Sequence, residues 1–222
     1  MVQIPTERLP SLYADLMRQL GRRIEILSRA FERAKSEPDD HLQALEMEFC
    51  YLQIRMSIEL IALATLVAHN EIEGFRRKVL MKEWHASNLI SQLQNMSDDA
   101  FPRPIRTADT SGGVTELIVD QHEEQRQSLI KIYHLCGDRL HSGQLRNILK
   151  RGRKVYPLGE VKEWADVIVA LLNKHAIVLP GAKRMLIAFM RHESTDDAHC
   201  FFTDIVDGAV KITDDHLKGS NP

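Results

Sequence analysis

Between Tyr13 and Ala34 the apolar residues Tyr13, Met17, Leu20, Ile24, Leu27, Phe31 and Ala34 recur at spacings of 4, 3, 4, 3, 4 and 3. A seven-residue repeat of this kind suits an α-helix that hides one stripe, because 3.6 residues per turn bring positions three and four apart onto one face. The spacing predicts a helix from about Ser11 to Lys35 and demands a partner for its stripe. Ser36-Glu37-Pro38-Asp39-Asp40 interrupts the repeat. Proline disfavours helical backbone at the residue before it, and an aspartate supplies the cap of the next helix.

That next helix runs from about His41 to His69. Its main stripe is Leu45, Phe49, Leu52, Met56, Leu60, Leu63 and Val67, and a second stripe of Ile54, Ile58, Ile61 and Leu66 lies elsewhere on its surface. Two apolar faces predict a central helix covered on most sides, packed antiparallel on the first helix across the short Pro38 turn. A third helix is expected over Phe75 to Met96, with Val79, Trp84, Leu89, Ile90 and Leu93 inward. Asp98 to Gly113, with Pro102, Pro104 and Gly112-Gly113, reads as a long loop. A fourth helix carries Ile118, Leu129, Ile132, Tyr133, Cys136 and Leu140 around a polar middle, His122 to Gln127. Ser142 to Gly159 is irregular, and a fifth helix carries Val161, Trp164, Ile168, Leu171 and His175.

The C-terminal part changes character. Leu179-Pro180-Gly181 is a stop signal. The apolar runs Arg184 to Met190 and His199 to Ile205 flank the polar Glu193-Ser194-Thr195-Asp196-Asp197, the pattern of a β-hairpin; a short buried helix plus loop is the alternative. A lone hairpin is marginal in water, so it must pack on the bundle or pair with another chain. The expectation is therefore a mainly α chain, a bundle of about five helices over residues 1–178, with a C-terminal hairpin and tail over 179–222. There is no internal repeat.

Composition narrows the function classes. The 222 residues carry 29 Lys+Arg against 31 Asp+Glu, a net charge of -2, whereas dedicated nucleic-acid binders are more basic. The 44% hydrophobic content is too high for a disordered chain. Cys50, Cys136 and Cys200 are odd in number, far apart and without zinc-finger spacing, which argues against a disulfide scaffold and suits a reducing compartment. The first residues lack an apolar core of signal-peptide length, and the apolar run Ile54 to Ala68 is short for a membrane span and holds Arg55 and Glu59. A soluble, cytoplasmic protein with no membrane partner is expected.

Four groups of residues hold chemistry. Tyr133 to Gly143 contains His134, Asp138, Arg139 and His141 around an expected helix end. His134 and Asp138 share a helix face, and Arg139 with His141 has the makings of a phosphate contact with a general acid or base. The bland alternative is that Gly137 and Gly143 end the helix while the polar residues cap and pair. Cys136, beside His134 and Asp138, is a conceivable thiol site or an inert buried cysteine. Arg55 and Glu59 lie four apart on the most apolar helix, either as a polar binding site inside the bundle or as an ion pair that fixes register. Arg146, Lys150, Arg151, Arg153 and Lys154 form a basic cluster suited to phosphates or to an acidic surface. Asp196, Asp197 and His199 suit a cation or a plain polar turn. His122-Glu123-Glu124 lacks the second histidine of a helical zinc motif. No metal site and no cofactor are assigned, and no phosphate loop, nucleophile elbow or dinucleotide fingerprint is present.

The run Leu135-Cys136-Gly137-Asp138-Arg139-Leu140-His141-Ser142, after a long helix and an apolar helix holding Arg55 and Glu59, resembles the all-helical HEPN-type proteins and their uncharacterised bacterial relatives. The resemblance spans at most residues 11–178. It implies a helical bundle that either cleaves RNA or serves as an inactive dimerising or adaptor domain. Active members carry four to six residues between an Arg and a His; here one residue separates Arg139 from His141.

Three functions follow from these readings. The first is a non-catalytic interaction or regulatory protein that assembles with itself or a protein partner through helical seams. The second is a HEPN-like RNA-acting enzyme or toxin using Arg139 and His141, with RNA as partner. The third is a small-ligand binder around Arg55 and Glu59. The chain has no complete catalytic set, which favours the first.

Overall fold

A computed structural model describes residues 5–70, 83, 85–96, 100–109, 115–119, 123–141, 156–179, 181, 183–191, 196–206 and 209–210. The two long repeats form the two long helices, α1 (Leu9–Ser36) and α2 (Asp40–Ala68). Pro10 opens α1, where a missing N–H costs nothing. Between them Asp39 caps α2, its carboxylate accepting from His41 N at 2.8 Å and Leu42 N at 3.0 Å. Of the α1 stripe, Tyr13, Met17, Leu20, Leu27 and Ala34 are buried against the rest of the chain, as the spacing requires. Arg33 to Glu46 and Arg23 to Gln53 bonds fasten α1 to α2, and the falling numbers on one against the rising numbers on the other mark the antiparallel hairpin.

The shorter helices are α3 (Ala86–Met96), α4 (Glu123–Leu140) and α5 (Leu158–Leu172). Among the described helices α2 packs on each of the other four, so it is the central helix expected. Leu89, Ile90 and Leu93 of α3 point inward as read; Val79 and Trp84, and the start of the expected third helix, lie outside the described residues.

The chain is mainly α, and it also carries a sheet much larger than a hairpin. Six antiparallel strands, β1 (Arg103–Asp109), β2 (Thr115–Val119), β3 (Lys174–Val178), β4 (Arg184–Phe189), β5 (His199–Val206) and β6 (Ala209–Val210), stand in the order β2-β1-β3-β4-β5-β6. β4 and β5 pair as the proposed hairpin, with Leu186 opposite Phe202 and Ala188 opposite Cys200. The hairpin lies inside the sheet, because β3 pairs with β4 (Ala176 opposite Ile187) and β1 with β3 (Pro104 opposite His175). The division drawn at residue 178 thus falls between two paired strands.

Three expectations are corrected by this sheet. The proline-marked loop at 98–113 contains β1; Pro104 sits next to its start, where a missing donor is tolerated. Ile118 belongs to β2, so the fourth helix begins at Glu123. His175 belongs to β3; its spacing from Leu171 suits a helix, but α5 ends at Leu172. A fourth correction concerns Gly137, which lies within α4 and does not end it.

Alternation divides the sheet into two faces. Leu186, Ala188, Cys200 and Phe202 join the main core with the helices, whereas Met185, Ile187, Phe189, Phe201, Ala176 and Ile105 form a second buried apolar cluster. α1 packs on β4 and β5, and α5 on β1 and β3. Buried polar groups stitch these layers. Tyr13 Oη donates to His175 Nε2 at 2.6 Å, while His175 Nδ1 donates to the Leu172 carbonyl at 2.9 Å. Burial holds His175 down at about 4, so it is neutral and both its ring nitrogens have roles.

Candidate functional site

Three of the candidate residues, Arg55, Glu59 and Arg139, lie at the junction of α2, α4 and α5, each paired within the fold. Arg55, on α2, has its guanidinium carbon 3.9 Å from the centre of the Tyr133 ring on α4, and its Nη2 donates to Tyr133 Oη at 2.6 Å. Arg55 Nε lies 3.5 Å from Glu59 Oε1, and Tyr133 Oη donates to the same carboxylate at 3.3 Å. The Arg55 and Glu59 side chains are 23% and 22% exposed, so the pair sits at the rim of the core and avoids the full cost of a buried charge. Gly137 makes this contact possible: a Cβ built there would lie 3.0 Å from Arg55 Nη1.

Arg139 is committed to a partner that spacing could not reveal. Its Nη2 donates to Glu160 Oε1 at 2.7 Å and Oε2 at 3.0 Å, and its Nε donates to Oε2 at 3.2 Å. Glu160, at the start of α5, also accepts from Tyr51 Oη at 3.3 Å. The hydrogen bond to Glu160 raises Arg139 above its ordinary value, and burial together with the Glu160 charge pushes Tyr51 up. Tyr156 donates to Glu48, and burial and that bond push its hydroxyl up as well. The rings of Tyr51, Tyr156 and Trp164 stack beside these pairs at 5.6–5.8 Å. A phosphate reaching Arg139 would have to displace Glu160 from a two-point contact, the strongest geometry an arginine makes.

The other candidates do not join this junction. His141 follows the last turn of α4, exposed, its backbone N–H bonded to the Gly137 carbonyl at 2.9 Å. His134 and Asp138 are exposed on one face of α4, as their spacing predicts, with His134 edge-on to Tyr133 at 5.8 Å. Arg146, Lys150, Arg151, Arg153 and Lys154 lie outside the described residues. Cys136 is fully buried and desolvation pushes its thiol up to about 12, which overturns the reading of a reactive thiol. In the hairpin turn, Asp197 is taken by Arg18 at 2.8 Å and Asp196 lies 3.8 Å from Arg191. No group of three metal-ligating side chains gathers among the described residues.

Sequence reasoning missed Tyr133, Gly137, Tyr51, Tyr156 and Glu160 as members of this junction. One of them left a signal: a glycine inside a helical stretch marks close approach by a neighbour.

The second feature is a surface. Of the main stripe read on α2, Leu45, Phe49, Leu52 and Leu63 face outward, contrary to expectation, while Leu60 is buried and Met56 and Val67 are half-buried; Leu42, one turn before Leu45, is exposed as well. Leu42, Leu45, Phe49, Leu52 and Leu63 are 51, 61, 37, 40 and 43% exposed, while Ile54, Ile58 and Ile61 of the second stripe are buried. From Leu45 onward every exposed residue of α2 is a large apolar one. α2 is also the one described helix long and apolar enough to cross a membrane, and 61% of its most apolar window is buried in the fold.

Compared with known proteins, the chain matches no family model, no curated protein and no solved structure.

Proposed function

We propose that this chain is a non-catalytic interaction or regulatory protein that self-associates. The observation that carries the reading is the outer face of α2, where Leu42, Leu45, Phe49, Leu52 and Leu63 are exposed among the described residues, with Glu59 as the one charged position along the row. Scattered exposed leucines are ordinary, but a contiguous stripe on one helix marks a binding surface. The chemistry elsewhere supports it. Arg139 is bound by Glu160 and Arg55 by Glu59 and Tyr133, and Cys136 is buried, so of the groups a catalytic reading draws on these are already engaged within the fold. Cys50, Cys136 and Cys200 are free thiols, which agrees with a cytoplasmic setting.

Sedimentation equilibrium or light scattering across 0.5–100 µM, a range of roughly the micromolar affinities ordinary interfaces reach, tests the proposal. The expected mass rises from that of one 25.4 kDa chain to twice it. A chain that stays monomeric throughout ends the self-association reading.

A further inference from the structure

We infer that two copies pair through α2 in antiparallel fashion, about a two-fold axis level with the point between Cys50 and Tyr51. The inference rests on the self-association proposed above and names the surface and register it uses. Leu42, Leu45, Phe49, Leu52 and Met56 follow one another at spacings of 3, 4, 3 and 4, and Leu63 stands seven beyond Met56. This is the spacing with which one helix receives another along its length, so the occupant it fits is a helix with the same period. A second copy of α2 supplies one.

Area agrees with that occupant. Taking ~180 Å² for a fully exposed Leu or Phe, the exposures of Leu42, Leu45, Phe49 and Leu52 leave roughly 340 Å² of apolar surface per copy within reach of a second α2. Interfaces are about 60% apolar. The contact with its polar rim therefore amounts to roughly 570 Å² per partner, the size of a weak, reversible interface rather than the ~800 Å² of a standard one.

Charge selects orientation and register. Glu59 interrupts the stripe at the position between Met56 and Leu63. A parallel pair would set Glu59 against Glu59 of the second copy inside the contact, like charge facing like charge. An antiparallel pair moves it to the end. In the register named, Phe49 meets Leu52 of the second copy, Leu45 meets Met56, and Leu42 covers the stem of Glu59. On the α4 side of the stripe, Glu48 then comes alongside Arg55 of the second copy, twice by symmetry. Shifting by one heptad sets Arg55 against Arg55 and puts Phe49 against Glu59. The wild-type charges therefore fit one antiparallel register and oppose its neighbour.

Two measurements on the full chain test this. Leu45→Lys and Leu52→Lys alter side chains that are exposed in the single chain, so helical content should hold while the dissociation constant rises at least 100-fold, about two factors of ten for a buried charge on each side. For orientation, His41→Cys carries a spin label. The native cysteines are buried with thiols pushed up to about 12, which leaves position 41 as the reactive one. At 1.5 Å per residue the antiparallel register separates the two labels by about 29 Å along the helix axis, whereas parallel helices set them side by side at roughly 10 Å. A dimer with a short label distance, or one that survives both lysine variants, overturns this arrangement and leaves self-association standing. A wild-type monomer overturns both, and a monomer that co-floats with lipid vesicles through the same stripe does so in favour of a membrane surface.

Discussion

The inner face of α2, built on Met47, Ile54, Ile58 and Ile61, is covered on all sides, whereas its outer face, with Leu45, Phe49, Leu52 and Leu63, stays 37–61% exposed. Both faces are apolar and both have helical spacing, so hydrophobicity alone does not decide which one the fold uses. The difference lies in the residues between the large ones. The inner side carries Cys50, Ser57, Ala62, Ala64 and Ala68, all buried. Small side chains let neighbouring helices approach to the 8–10 Å that ridge-into-groove packing needs. The outer side has no small residue among its exposed positions, and its large side chains stand away from the body.

The largest test of this contrast is a pair of truncations. Ile58→Ala opens a cavity in a packed core and should cost about 2–5 kcal/mol. Leu45→Ala, measured at submicromolar protein where copies are separate, should cost within about 0.5 kcal/mol. Urea unfolding followed by circular dichroism reads both. Equal losses at the two sites would mean that the outer face is packed in the monomer, and the contrast would fall.

A second test uses protons, which load the interior and leave the outer stripe alone. Burial holds His69 and His175 at about 4, below the ordinary histidine value. The fold therefore prefers both rings neutral. Their contribution is complete above about pH 6.5 and is lost as pH falls from there towards 4, when the unfolded chain binds protons that the folded one refuses. The shift corresponds to about 3 kcal/mol per ring at most. His175→Asn should flatten the loss of urea stability between pH 7 and pH 5 by about 2 kcal/mol, with the Tyr13 hydroxyl still able to donate to the new side chain. An unchanged slope would show that His175 titrates no lower in the folded chain than in the unfolded one.

These tests also locate what a linear reading reaches. The α1 stripe, the Asp39 cap, the β4–β5 pair and the Arg55–Glu59 spacing are local, and residues within one turn or one hairpin declare them. β1 is not local. Among its described side chains, Arg103 to Arg106, only Ile105 joins a buried apolar cluster, so its strand character comes from β3 and β2 on either side. His175 misleads because four residues from Leu171 suits a helix, while its true partner, Tyr13, lies 162 positions away. The site divides in the same way. Arg139 and Glu160 are 21 apart, on two helices whose meeting no spacing announces. The outward turn of Leu45, Phe49, Leu52 and Leu63 on α2 was equally illegible, because facing is set by the neighbours and α2 has four among the described helices.

The smallest expected effect sits at the border of the two faces, where Arg55 leans across Gly137 onto Tyr133. Gly137→Ala inside α4 gains helix propensity of about 1 kcal/mol. The new Cβ, however, would stand 3.0 Å from Arg55 Nη1, so the guanidinium must give by a few tenths of an ångström against the Tyr133 ring. That crowding works against a cation–π contact of about 0.5–1 kcal/mol at a part-exposed site. The two terms nearly cancel, and the single variant should change stability by less than about 0.5 kcal/mol. The cancellation becomes visible in a cycle. With Arg55→Ala already present, nothing occupies the space above Gly137, and Gly137→Ala should then stabilise by nearly the full ~1 kcal/mol. If the alanine has the same effect in both backgrounds, the glycine is not what admits Arg55, and the rim between the covered and the bare face of α2 is held by something else.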